Sequence, residues 1–230
     1  NGINNLTYYF AVLFYILHFI PIFIFRKSFI KIYIENITLR LSKDNLNKIK
    51  YLLICVILFG ACDAGFSTLF PSYLLEESFK DTQIGQINFL AGSIALFFYP
   101  FMGKLVDKYN KTIIFNTICI INLTNLIALY FINDFYLYII FVAFYYYTIG
   151  TVFLITFNIV GKILSGGAIT FGIAGHYISE SIGSFLGPNL IGNVISININ
   201  YFFLIFFVLY ILIIGLFNFN QFKNGGLSGT

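Results

Sequence analysis

The sequence predicts an all-α protein, a polytopic transmembrane bundle of seven helices. Three observations carry this reading. First, 59% of the 230 residues are hydrophobic and 10% are charged, with a mean hydropathy of +0.89. A water-soluble domain carries about a quarter charged residues, so too little polar surface exists here to cover a soluble globule. Second, seven apolar stretches reach about the 20 residues that a helix needs to cross the hydrocarbon core. Third, the basic residues gather on one side of the alternating topology that these stretches define. Soluble enzymes, nucleic-acid binders and disordered chains are poor readings for the same reasons. The net charge of +4 is no nucleic-acid footprint, because the basic residues sit at the ends of apolar runs.

In chain order the expected spans are Leu6–Phe25, Lys50–Leu74, Ile84–Met102, Thr112–Ile132, Phe135–Ile159, Ala168–Ile195 and Tyr201–Phe219. Connections are short except for Arg26 to about Ile49. With the first residue outside, the inner segments hold Arg26, Lys27, Lys31, Arg40, Lys43, Lys48, Lys50, Lys104, Lys108, Lys111, Lys162 and Lys223, leaving only Lys80 of the 13 basic residues outside. The outer loops carry Glu76, Glu77, Asp81 and Asp134. This is a strong positive-inside pattern, and one span more or fewer would scramble it.

The domain division follows. Residues 1–25 form a leading transmembrane helix. Residues 26–49 form a basic cytoplasmic segment in which Ile30, Ile34, Ile37 and Leu41 recur at helical spacing, as in a helix lying on the membrane surface. Residues 50–220 form a six-helix unit, and 221–230 a flexible Gly/Ser-rich tail. Cys55, Cys62 and Cys119 lie in apolar runs without metal or CxxC spacing, and read as small buried hydrophobes. The chain begins at Asn1 rather than Met and reads as a fragment of a longer protein. Its wealth of Asn, Ile, Phe, Tyr and Lys looks like AT-rich codon usage, so isolated aromatics carry little weight as signals.

The run Gly103-Lys104-Leu105-Val106-Asp107-Lys108-Tyr109-Asn110-Lys111 links two spans at the expected cytoplasmic face. Asn110 tolerates a left-handed backbone in a tight turn. Asp107 stands where a carboxylate can cap the next helix, with lysines around it as partners. On physical grounds alone a generic basic loop with a helix cap explains it about equally well. The run resembles the signature loop of the major facilitator superfamily, G-x-L-x-D-[RK]-x-G-[RK]-[RK]. Gly103, Leu105, Asp107, Lys108 and Lys111 match, Asn110 stands where Gly is usual, and Thr112 replaces a second basic residue. In that family the loop is a cytoplasmic latch between the second and third helices, often repeated between the eighth and ninth.

A second run, Gly183-Ser184-Phe185-Leu186-Gly187-Pro188-Asn189-Leu190-Ile191-Gly192, offers small residues for close helix packing and a proline for bending. It resembles the G-x-x-x-G-P-x-x-G-G signature of the fifth helix of the family's antiporters, with Ile191 departing. By the family's pseudo-symmetry the same place recurs in the eleventh helix. The leading span and basic segment then look like the sixth helix and the central loop, which makes the chain the C-terminal half, helices six to twelve. The rival is a first half with an appended helix. It draws on Asp63 followed by Pro71, which resembles the first helix of drug antiporters.

Two acids fall well inside spans, Asp63 in the second and Glu180 in the sixth. Each costs about 2.5–3.5 kcal/mol at the bilayer centre on insertion scales, so such residues face a bundle interior or a wet cavity. Transporter substrate and ion sites lie at that depth. His176 precedes Glu180 by one turn, on the same face. Asp63, Glu180 and His176 are therefore the candidate proton-coupling or cavity residues. For each the competing reading is a buried helix-to-helix hydrogen bond, evenly balanced for His176. Asn122, Thr124, Asn125, Thr148, Thr151, Thr156 and Asn158 are better explained by helix packing. One of Tyr145, Tyr146 and Tyr147 faces the cavity, without the sequence showing which. Gly60 and Gly65 would let a neighbouring helix approach Asp63.

No phosphate-binding loop, zinc motif or nucleophile elbow occurs, so no enzyme activity, metal or cofactor is expected. The resemblance implies a secondary transporter that works by alternating access in a bacterial inner or plasma membrane. Proton coupling comes from the two acids. The partners are the lipid bilayer, a small solute, protons and the N-terminal half of the same transporter, with no nucleic acid. Symport and antiport both remain open. The alternative is a seven-helix receptor or sensor without transport.

Overall fold

The computed structural model describes residues 43–223. The leading span, the basic segment up to Ser42 and the end of the tail lie outside the described residues. Six helices follow one another: α1 (Lys43–Glu76), α2 (Asp81–Lys108), α3 (Lys111–Phe131), α4 (Phe135–Ile163), α5 (Gly167–Ile195) and α6 (Tyr201–Lys223). Each expected span from the second to the seventh coincides with one of them. Helix α1 begins at Lys43 rather than Lys50. Ile49 and Leu52 are buried, and Asp44 in the first turn suits the positive end of the helix dipole.

Five of the six helices are long and apolar enough to cross a membrane. The exception is α5, which at 29 residues has the length but not the composition. Gly172, Gly175, His176, Ser179, Glu180, Ser181, Gly183, Ser184 and Gly187 dilute it. Crossing as the sixth span is therefore an expectation for α5 that rests on its place in the bundle.

Connections of two to five residues make successive helices run in opposite directions. The start of α1 and the end of α6 meet at one end of the bundle, where Tyr51 and Phe219 pack edge to face at 5.1 Å. Phe115 at the start of α3 stacks on Phe217 at the same end. Lys48, Lys50, Lys104, Lys108, Lys111 and Lys162 therefore share that end. The opposite end carries Glu76, Glu77, Asp81 and Asp134, and there Tyr73 meets Phe203 and Phe79 meets Tyr138. The basic and acidic ends anticipated from the sequence are thus real ends of the fold.

Local capping sets the turns. Asp134 accepts hydrogen bonds from the amides of Tyr136 and Leu137, both at 2.9 Å, and so starts α4. Ser78 with φ 67° and Gly166 with φ 57° supply left-handed residues in the α1–α2 and α4–α5 turns.

The most extensive packing is α1 on α5 and α2 on α4, followed by α1 on α6, α3 on α4 and α3 on α6. Exchanging α1–α3 for α4–α6 maps α1–α5 onto α4–α2, α1–α6 onto α4–α3 and α1–α2 onto α4–α5. The departure is α5–α6, which is more extensive than α2–α3. Such three-plus-three pseudo-symmetry is typical of a transporter half. Phe66 of α1 is the hub of the core, packing on Phe70, Tyr145, Phe202 and Phe206. In lipid the hydrophobic drive between helices is weak, so this close ring packing and the interhelical hydrogen bonds carry much of the association.

Candidate functional site

Glycine seams place the two membrane acids. A Cβ added to Gly60 on α1 would lie 2.5 Å from the main-chain oxygen of Glu180 on α5. One added to Gly183 would run into the backbone of Ile57 and Ala61, and one at Gly187 into the backbone of Ala61. Helices α1 and α5 therefore touch backbone to backbone over Gly60–Ala61 and Gly183–Gly187. Asp63 sits one turn beyond Gly60, on the helix that meets α5 at this seam, and both Asp63 and Glu180 are half-buried. Gly65 is filled by the Ile191 side chain, and Gly192 rests at ordinary contact distance from Leu69. Pro188 lies inside α5 without breaking it.

Tyrosines join α2 to α4 in the same bundle. The Tyr99 hydroxyl donates to the Tyr146 carbonyl at 2.9 Å, and the Tyr146 hydroxyl donates to Asn88 Oδ1 at 3.3 Å. The tyrosine run now divides. Tyr145 is fully buried and stacks on Phe66. Tyr147 packs beside Phe98 and Tyr99. Tyr146, half-buried like Tyr147, is the member bonded to α2.

His176 takes a different direction from Glu180. It is buried, its Nε2 pairs with Thr156 Oγ1 at 2.9 Å, and its ring meets Phe153 and Phe157 of α4 edge-on. Its Nδ1 has no partner among the described residues. The geometry seats it between α4 and α5.

Thr124, Thr151 and Asn158 bond carbonyls of their own helices, while five other polar residues join helices. Asn122 donates to the Tyr210 hydroxyl at 2.9 Å and accepts from Thr148 at 2.5 Å, linking α3, α6 and α4. Asn125 donates to the Phe141 carbonyl at 3.0 Å. Asn116 and Asn218 exchange two amide bonds, both at 2.9 Å, between α3 and α6. The sequence reading did not single out this last pair. Its signal was one Asn in each of two apolar spans.

The loop motif is built differently from the expectation. Helix α2 runs through Asp107 to Lys108, so Asp107 lies exposed in its last turn and cannot cap α3. Asn110 is the cap, accepting from the amides of Thr112 at 2.9 Å and Ile113 at 3.3 Å. Its φ of −60° is ordinary extended backbone, not left-handed. Lys111 Nζ turns back to the Val106 carbonyl at 3.4 Å, while the Lys108 ammonium lies over the Tyr109 ring. Gly103 has open space around it and Leu105 is exposed.

An apolar groove of about 420 Å³ between α2 and α4 is lined by Ile94, Phe98, Ile140 and Phe144, and suits lipid chains.

No curated protein matches the chain. The family model described as Major Facilitator Superfamily matches residues 46–224, which takes in all but the first turn of α1 and every later helix. That match replaces the receptor alternative, since secondary transport is the activity that membership carries. The chain belongs to the Major Facilitator Superfamily: it is an integral membrane protein of secondary transport, and not an enzyme.

Proposed function

We propose that this chain is the C-terminal half of a proton-coupled transporter of a small cationic or neutral solute. The observation that supports this best is the backbone-to-backbone seam at Gly60, Gly183 and Gly187, which joins the two helices that carry Asp63 and Glu180. A carboxylate that faces water from one side takes up a proton there. When the two halves rock, the neutral acid faces the other side and releases it. Two acids within each other's field make charge at the site depend on occupancy: a bound cation or a proton satisfies it, and an empty doubly charged site is costly. No Lys or Arg occurs from Tyr51 to Glu76 or from Gly167 to Ile195, so neither α1 nor α5 offers a cation at mid-depth to hold an anionic substrate. His176 anchors α5 on α4, one turn before Glu180.

The basic end of the bundle, with the Gly103–Lys111 loop, faces the cytoplasm in this reading, following the positive-inside rule. The assignment to the second half rests on the leading span and basic segment in the sequence.

The test is transport by the full-length protein in proteoliposomes with a pH-sensitive dye sealed inside. A panel of labelled solutes, with tetraphenylphosphonium as the organic cation and a neutral sugar beside it, is presented under an imposed pH gradient. Solute-dependent proton movement is expected in the wild type and its loss in both Asp63→Asn and Glu180→Gln. Full gradient-driven accumulation in both variants would overturn the coupling assignment.

A further inference from the structure

Tyr145 is fully buried on α4, and its phenol reaches a backbone group of α1. Its hydroxyl donates to the Cys62 carbonyl at 3.1 Å. Inside α1 that carbonyl already accepts the amide of Phe66, and its second lone pair takes the phenol. The Cys62 carbonyl belongs to the same planar peptide unit as the Asp63 nitrogen. On the other side of Asp63 the Tyr145 ring stacks on Phe66, with centroids 3.9 Å apart and planes 27° from parallel. One side chain therefore grips α1 immediately before and one turn after the acid.

A separate polar chain runs beside this grip. Thr148, one turn along α4 from Tyr145, bonds Asn122 of α3, and Asn122 bonds Tyr210 of α6. Tyr210 in turn meets Phe59 of α1 edge to face at 5.6 Å. The neighbouring phenols bond elsewhere, Tyr99 to the Tyr146 carbonyl and Tyr146 to Asn88, whereas Tyr145 bonds the peptide that carries the acid.

We propose that Tyr145 is a positioning residue for Asp63: it fixes the Asp63 peptide to α4, so that the carboxyl moves with α4 during transport. This rests on the reading of Asp63 as a coupling acid.

The experiment uses the full-length protein in lipid nanodiscs and needs no substrate. Dicyclohexylcarbodiimide adds to protonated membrane carboxyls and leaves a stable N-acylurea. Modification of Asp63 and of Glu180 is followed separately by peptide mass spectrometry across a pH series. In Y145F the Asp63 rate is expected to rise about threefold, the scale of one interhelical hydrogen bond in a membrane, with Glu180 unchanged. T148V keeps the Tyr145 hydroxyl and is expected to match the wild type at Asp63. Should Y145F fail to assemble, F66L removes the ring stack and keeps the hydroxyl, and an Asp63-selective rise is again expected.

Unchanged Asp63 labelling in Y145F at every pH would overturn the proposal. So would an equal rise at Glu180, or a T148V profile like that of Y145F, since either marks general loosening. If wild-type Asp63 never labels while Glu180 does, the coupling role of Asp63 fails first, and this inference falls with it.

Discussion

Gly60 of α1 rests on the main-chain carbonyl of Glu180 on α5, close enough that a methyl group at position 60 would lie 2.5 Å from the oxygen. The spacing of the two helices that carry the membrane acids is thereby set by bare backbone and not by adjustable side chains. Neither helix can back away from the contact without opening the seam at Gly183 and Gly187.

Alanine at any seam position is expected to destabilise. Gly60→Ala, Gly183→Ala and Gly187→Ala each force backbone apart, at a cost of about 1–3 kcal/mol. Gly103→Ala and Gly161→Ala enter open space and are expected to leave stability unchanged or slightly raised. Buried Cys55, Cys62 and Cys119 provide the readout, because a thiol-reactive dye reports their exposure on heating. Equal melting temperatures for the two sets would refute the seam.

The chain of bonds through Asn122 makes a second expectation. Asn122→Ala strands the Tyr210 hydroxyl and removes the acceptor from Thr148. Interhelical hydrogen bonds in membranes average about 0.6 kcal/mol and reach about 1.7. A double-mutant cycle of Asn122→Ala with Tyr210→Phe is expected to show coupling within that range. Strict additivity would mean the bond contributes nothing.

At the loop, Asn110 rather than Asp107 governs the start of α3. Asn110→Ala is expected to cost about 1 kcal/mol, whereas Asn110→Asp and Asn110→Gly stay within a few tenths. Asp107→Asn is expected to leave the melting temperature of this six-helix unit unchanged, as an exposed side chain in the last turn of α2. Larger destabilisation by Asp107→Asn than by Asn110→Ala would reverse the assignment.

His176 offers a separation of roles. Phenylalanine keeps the ring contacts with Phe153 and Phe157 and removes the nitrogen whose partner is Thr156. His176→Phe is expected to retain both stability and proton-coupled transport in the vesicle assay, while Thr156→Val, which strands the imidazole, costs about 1–3 kcal/mol. Loss of coupling at wild-type stability in His176→Phe would return the histidine to the proton path.

The helices were legible because apolar runs of membrane length leave little choice of structure, and from Thr112 to Tyr201 the expected starts lie within one residue of those observed. What lies beyond an apolar run was less legible. The last turn of α2 is polar, so hydropathy could not show that Asp107 is still helical, and the cap passed to Asn110. The seam was half legible: glycines beside Asp63 and at Gly183 and Gly187 announced close approach, but no pattern in one chain says which glycine meets which. His176 and Glu180 share a helix face by spacing. Four residues leave an offset of about 40°, and here that offset separates contact with α4 from contact with α1.

Tyr99 already fills the space over Gly150, and its phenol reaches past that glycine to the Tyr146 carbonyl. Position 150 is therefore a seat kept empty for a phenol. Any side chain placed there must evict the Tyr99 ring and break its bond to the Tyr146 carbonyl, so variation at one residue of α4 would loosen its hold on α2.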